Sequence, residues 1–123
     1  MAEGTGKTIA LWVLTALLAA TFGMAGVTKL AGAQEAVEGF NKMGYSPAFR
    51  LFIGAAEFAG AIGLLIPRLA TAAAVGLAII MAGAVYVTVA GGEARHAAAP
   101  AILLILLGVV GYARRDRLLG RGG

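Results

Sequence analysis

The sequence predicts an all-α integral membrane protein: a bundle of four transmembrane helices with a short interfacial helix between the first two. Composition is the first reason. Of 123 residues, 60% are hydrophobic and only 13% are charged, which places the chain outside the range of soluble domains on both counts. Mean hydropathy, +0.89, is the second. The third is the spacing of the apolar residues, which fall into four long runs divided by short segments where Gly, Pro and charge gather.

The first span is expected over about Thr8 to Leu30, roughly 34 Å at about 1.5 Å per residue and enough to cross a hydrocarbon core of about 30 Å with some tilt. Lys7 ahead of an apolar run also suits a cleaved signal peptide, but the run is too long for one, and a true span is expected. The second span runs from about Pro47 to Ile66: Ser46 is a good N-cap, Pro47 suits the first turn, and Pro67 closes the helix. The third, about Leu69 to Ala90, ends at Gly91 and Gly92. The fourth, about Ala97 to Ala113, has Pro100 in its first turn and is the shortest, so flanking residues are expected to lengthen it. Between the first two spans, Ala36, Val37, Phe40 and Met43 recur at helical spacing among Glu35, Glu38, Asn41 and Lys42, which predicts an interfacial helix over about 33–44. It is read as a surface anchor or as a lid over a cavity between the spans. The whole chain, 1–123, reads as a single membrane domain.

Charge distribution sets the expected topology. Four spans put both termini on one side, with Lys7, Arg68, Arg114, Arg115, Arg117 and Arg121, and leave Lys42 and Arg95 on the other. The positive-inside rule then makes both termini cytoplasmic. The net charge of +4 is thus read as a topology anchor against anionic lipid, and no nucleic-acid partner is expected. High Ala and Gly content points to a bacterial cytoplasmic membrane.

Several chemistries are excluded by the residues themselves. Cysteine is absent, so this chain supplies no disulfide, thiolate metal site or thiol redox centre. His96 is the single histidine and lies in a polar connection, so a haem with two histidine ligands from one chain is ruled out and no metal site is expected. The segment Gly4 to Thr8 looks like part of a phosphate loop but lacks the first glycine and a preceding strand.

Two ionisable residues lie inside the predicted spans, where charge is expensive and marks a functional site by default. Glu57 sits near the middle of the second span and Lys29 near the end of the first. Helical side chains lean toward the helix N-terminus, so in antiparallel spans the Lys29 ammonium and the Glu57 carboxylate point toward each other. They form either a structural ion pair that fixes helix register or the polar end of a binding site. Trp12, Gly26, Gly60 and Tyr86 are candidate pocket residues, the aromatics for stacking and the glycines for close backbone approach. The small-residue stripe Ala16, Ala19, Gly23 and Gly26, and Gly54, Gly60 and Ala61 around Glu57, predict tight packing of the first two spans. Gly76 and Gly83 leave a glycine face on the third span that suits a homo-oligomer.

The Gly23 to Gly32 run with Lys29 and Leu30, then Phe40, Gly44-Tyr45-Ser46-Pro47, Glu57-Phe58-Ala59-Gly60 and Leu64-Leu65-Ile66-Pro67-Arg68, resembles the DoxX-like family of small four-span membrane proteins. The resemblance covers about residues 9–113. It implies a shared fold with diverse roles: membrane subunits of thiosulfate:quinone oxidoreductases, parts of oxidative-stress complexes, and more distant receptor-assembly chaperones. From it we expect the membrane subunit of a quinone-linked or oxidative-stress oxidoreductase system, with Lys29 and Glu57 as its polar centre. Such a chain would work with a bound quinone and an extrinsic redox subunit. The alternative is a non-enzymatic assembly module that binds a lipid or a helix of a membrane-protein client.

Overall fold

The computed structural model describes residues 2–115; Arg117 and Arg121 of the basic tail lie outside them. Among the described residues the chain is all helical. Helix α1 spans Ala2–Ala31, α2 Gln34–Lys42, α3 Pro47–Leu65, α4 Ala70–Ala90, and α5 Ala98–Ala113 follows a 3₁₀ turn at Ala94–Ala97. Four stretches are long and apolar enough to cross a membrane: Gly6–Ala31, Pro47–Leu65, Ala70–Ala90 and Ala94–Ala113. The last is 20 residues long only because the 3₁₀ turn extends the 16 residues of α5, so the span expected to be the shortest exceeds Pro47–Leu65, at 19.

Local chemistry sets the ends of these elements. Ser46 caps α3, its hydroxyl accepting the Phe49 amide at 3.1 Å, and Pro47 fills the first position, where no amide is needed. Helix α1 stops at Gly32, whose φ of +73° allows the Ala33 amide to reach back to the Thr28 carbonyl at 2.9 Å. The same reversal closes α2 at Gly44 and α4 at Gly92. All three lie at the end of the bundle that carries α2, away from the chain termini.

The four long helices pack up and down in a ring, α1 beside α3, α3 beside α4, α4 beside α5, with a lighter contact between α5 and α1. Leu18, Phe22, Leu64, Leu77, Leu107 and Val110 fill the centre. The outer faces are equally apolar, as lipid requires: Leu17, Phe52, Ile79 and Ile105 are all exposed. The predicted stripe on α1 packs from Ala19 through Gly23 to Gly26; Ala16 faces outward instead.

Glycine fixes how closely the helices meet. A Cβ on Gly26 would lie 2.7 Å from the Gly54 carbonyl oxygen, and one on Gly54 would lie 2.8 Å from the Cβ of Lys29. Along α3, a Cβ on Gly60 would meet Leu77 at 2.7 Å, and one on Gly63 would meet Ala73 at 2.8 Å. Between α4 and α5, Thr71 donates to the Gly111 carbonyl at 2.8 Å, a bond that holds two apolar helices at one register.

Backbone contact of this kind cannot relax as a side chain can. Gly54→Ala is therefore expected to destabilise the protein by about 1–3 kcal/mol. Gly76→Ala, which meets nothing within 4 Å, is expected to be neutral or slightly stabilising. Thermal unfolding of both variants in one detergent decides; equal shifts would contradict the packing described.

Candidate functional site

The Gly26 and Gly54 contact sits three residues before Lys29 on α1 and three before Glu57 on α3, so one helical turn separates the closest backbone approach from each charge. The structure brings the charges together. Lys29 Nζ lies 2.7 Å from Glu57 Oε1, with the Lys29 side chain 19% exposed and that of Glu57 only 3% exposed. Oε1 is buried and takes no hydrogen bond of good geometry, so the carboxylate is held by the ammonium charge itself. Arg50, one turn into α3, donates from its guanidinium to the Lys29 carbonyl. That bond satisfies a carbonyl at the end of α1 and ties the Lys29 backbone to the helix that carries Glu57.

Lys29 and Glu57 both line a cavity of about 450 Å³ between α3 and α4. The cavity follows from the packing. Gly60 and Gly63 hold α3 tightly against Leu77 and Ala73 of α4, while nearer α2 the facing residues Ile53, Ala84 and Val87 leave space between the helices. Phe40, Tyr45 and Phe49 form its roof, with ring centroids 6.1, 6.2 and 4.8 Å apart. Phe52 and Ile79, both well exposed, lie along its side, which opens toward lipid. Lys29, Phe40 and Met43 also line a second, more polar recess of about 660 Å³ beneath α2, together with Glu35 and Glu38. Lys29 thus stands in the wall between the more polar recess and the apolar cavity.

The other sequence candidates fall elsewhere. Trp12 lies at the termini end, where the Arg114 guanidinium sits 4.5 Å from its ring centroid. Gly26 and Gly60 are helix contacts and do not line the cavity. Tyr86 is 72% exposed and turned away from it, although it shares a helix with Ile80 and Ala84, which face it. Sequence reasoning missed the aromatic roof and the Arg50 tether. Its one signal was the grouping of Phe40, Tyr45 and Phe49 around the Ser46-Pro47 turn.

Helix α2 has no buried residue; Ala36, Val37 and Phe40 are half covered and Met43 is exposed. It is tied to the loop before the 3₁₀ turn by Lys42 Nζ, which donates to Glu93 Oε1 at 3.1 Å. The hydrogen bond from Lys42 and its charge hold the Glu93 carboxyl below its ordinary value of 4.5, helped weakly by His96 and Arg95. Both partners are well exposed, so the bond positions α2 more than it stabilises the fold.

A family model described as the DoxX-like family matches residues 13–110. The chain belongs to the DoxX-like family. No curated protein and no solved structure matches it. Every residue of this DoxX-like cavity lies within the matched stretch, as do Lys29 and Glu57.

Two outcomes follow from this geometry. Lys29→Ala strands a buried carboxylate and is expected to cost about 3–5 kcal/mol. The Lys29→Ala, Glu57→Ala double variant should lose less than the sum of the single losses by more than about 1 kcal/mol, and an additive cycle in detergent unfolding would show that the charges do not interact. The second concerns pH. Glu93 is depressed in the folded protein, so its contribution is complete above its ordinary value and is lost as pH falls through the lowered one. Spin labels on α2 and on the loop after α4 should separate on acidification through that range in the parent protein, and Glu93→Gln should show the loosened distance at every pH.

Proposed function

We propose that this DoxX-like protein is the membrane subunit of a quinone-linked oxidoreductase system, and that the cavity between α3 and α4 receives the quinone headgroup. One observation carries the reading: an apolar, aromatic-roofed cavity open toward lipid has its charge concentrated at Lys29 and Glu57. Binding sites for small apolar molecules have this form, an apolar shell with a few polar groups that set orientation. The fit is chemical as well as spatial. The Lys29 ammonium has donors beyond the one turned to Glu57 and can donate to a quinone carbonyl. Glu57 lines the same cavity and, 2.7 Å from the ammonium, would hold Lys29 in place at its edge. Bound there, the quinone would supply two-electron chemistry; the chain's part is to hold it, orient one oxygen and exclude water. Electrons would come from an extrinsic partner, since the chain has no cysteine and a single histidine.

Lys7, Arg68, Arg114 and Arg115 gather at the termini end, which supports cytoplasmic termini and an outward-facing α2, and the location we propose with them is a bacterial cytoplasmic membrane. Of the glycine face expected on α4, Gly83 lines the cavity, while Gly76, with Gly108 of α5, is open and supports contact with a second membrane chain, a copy or a partner.

A second reading, binding of a lipid by an assembly module, is favoured by the wall shared between cavity and recess. A polar headgroup in the recess and an acyl chain in the cavity would span both.

Native mass spectrometry of the protein released gently from its own membrane separates the two. A retained quinone, reduced at least tenfold in occupancy by Lys29→Ala in protein that remains folded, is the expected result. Retained phospholipid with no quinone would move the assignment to the lipid reading.

A further inference from the structure

The cavity also says which quinone headgroup it suits, an inference that rests on the reading above. Hydrogen-bond donors in its lining are few. The backbone amides at its roof are used: Met43 bonds to Gly39, Gly44 to Asn41 and Tyr45 to Phe40, all within 3.2 Å, and the Phe49 amide bonds to Ser46. The remaining lining is aliphatic, aromatic or thioether, apart from Glu57, which when ionised only accepts. Two side-chain donors are left, the Lys29 ammonium and the Tyr45 phenol.

We infer that the site is built for a naphthoquinone headgroup in preference to a dimethoxybenzoquinone. A naphthoquinone carries two carbonyl acceptors and an unsubstituted fused ring, which matches two donors and a set of aromatic walls. A dimethoxybenzoquinone carries the same two carbonyls and two further ether oxygens. Those oxygens would leave water or the lipid interface for a lining with no donor to offer them, and burying unpaired acceptors is unfavourable. The fused ring meets instead the faces and edges of Phe40, Tyr45 and Phe49, where offset or edge contacts are favourable. On this inference Lys29 would donate to one carbonyl and Tyr45 to the other.

The test uses the full chain in lipid nanodiscs and two probes without isoprenoid tails: menadione for the naphthoquinone and dimethoxymethylbenzoquinone for the other class. Binding is titrated by calorimetry, with each probe's partition into empty nanodiscs subtracted. The absence of cysteine removes thiol adducts of menadione as a source of heat. Menadione is expected to bind at least about tenfold more tightly, a difference of about 1.4 kcal/mol. Tyr45→Phe, which keeps the ring and removes the donor, is expected to weaken menadione at least threefold. Gly83→Leu places a side chain in the cavity where a Cβ meets nothing within 4 Å, so it is expected to fold and to abolish binding. Equal affinities for the two probes, both lost in Gly83→Leu, would overturn the headgroup preference and leave the quinone reading standing. Saturable binding of neither probe, or binding indifferent to Gly83→Leu, would overturn both.

Discussion

An ammonium and a carboxylate can share the interior of an apolar bundle only if they touch, because either one alone would bear the full cost of leaving water. Much of the bundle's upper half is arranged around that contact between Lys29 and Glu57. These two side chains, with tips 2.7 Å apart, are long enough to meet across an ordinary gap, yet the backbones beside them come closer still. Gly26 and Gly54 remove the two side chains that would keep α1 and α3 apart, one turn from the charges. Arg50 then bonds the Lys29 carbonyl, so the last turn of α1 is anchored to α3 by backbone as well as by charge. Losing any one of these would loosen the others.

The same economy of side-chain volume shapes the cavity. Among the long helices α3 has two neighbours and is glycine-fitted to both, to α1 at Gly54 and to α4 at Gly60 and Gly63. These contacts lie at different heights along α3. Tight contact with α4 is confined to the half nearer the termini, and the two helices enclose space in the half where α1 is tight instead. Glu57 sits at the changeover. It reaches Lys29 on one side and borders the cavity on the other, and the short α2 segment with its flanking aromatics covers the top.

How much of this was legible in the sequence depended on whether each feature left a contrast against its surroundings. Spans, the Ser46 cap, the Pro47 start and the glycine stops stood out because polar and helix-breaking residues are rare in this chain. Lys29 and Glu57 stood out for the same reason, and the lean of helical side chains placed them toward each other. The facing of each helix did not stand out. In a membrane bundle the lipid side is as apolar as the core, so hydrophobic periodicity cannot separate Tyr86, which faces outward, from Ile80 and Ala84, which face the cavity. Trp12 was ambiguous on the same ground and lies against Arg114 at the far end. Phe40, Tyr45 and Phe49 carry nothing in the sequence that sets them apart from their apolar surroundings, and only the fold of the α2 to α3 turn shows that they cluster.

The position of the pair bears on whether it is architecture or site. A purely structural ion pair is best sealed on every side, with its remaining donors and acceptors bonded to protein, and even then an apolar pair of similar volume often does as well. Here the pair borders an apolar cavity of about 450 Å³, its Lys29 also reaches a polar recess, and the buried Glu57 Oε1 has the ammonium charge but no well-directed hydrogen bond. Register alone is already fixed by the Gly26 and Gly54 contact and by Arg50, which need no buried charge nearby. On the proposed function, a charge pair at the edge of such a cavity would serve what the cavity receives as well as what the helices need.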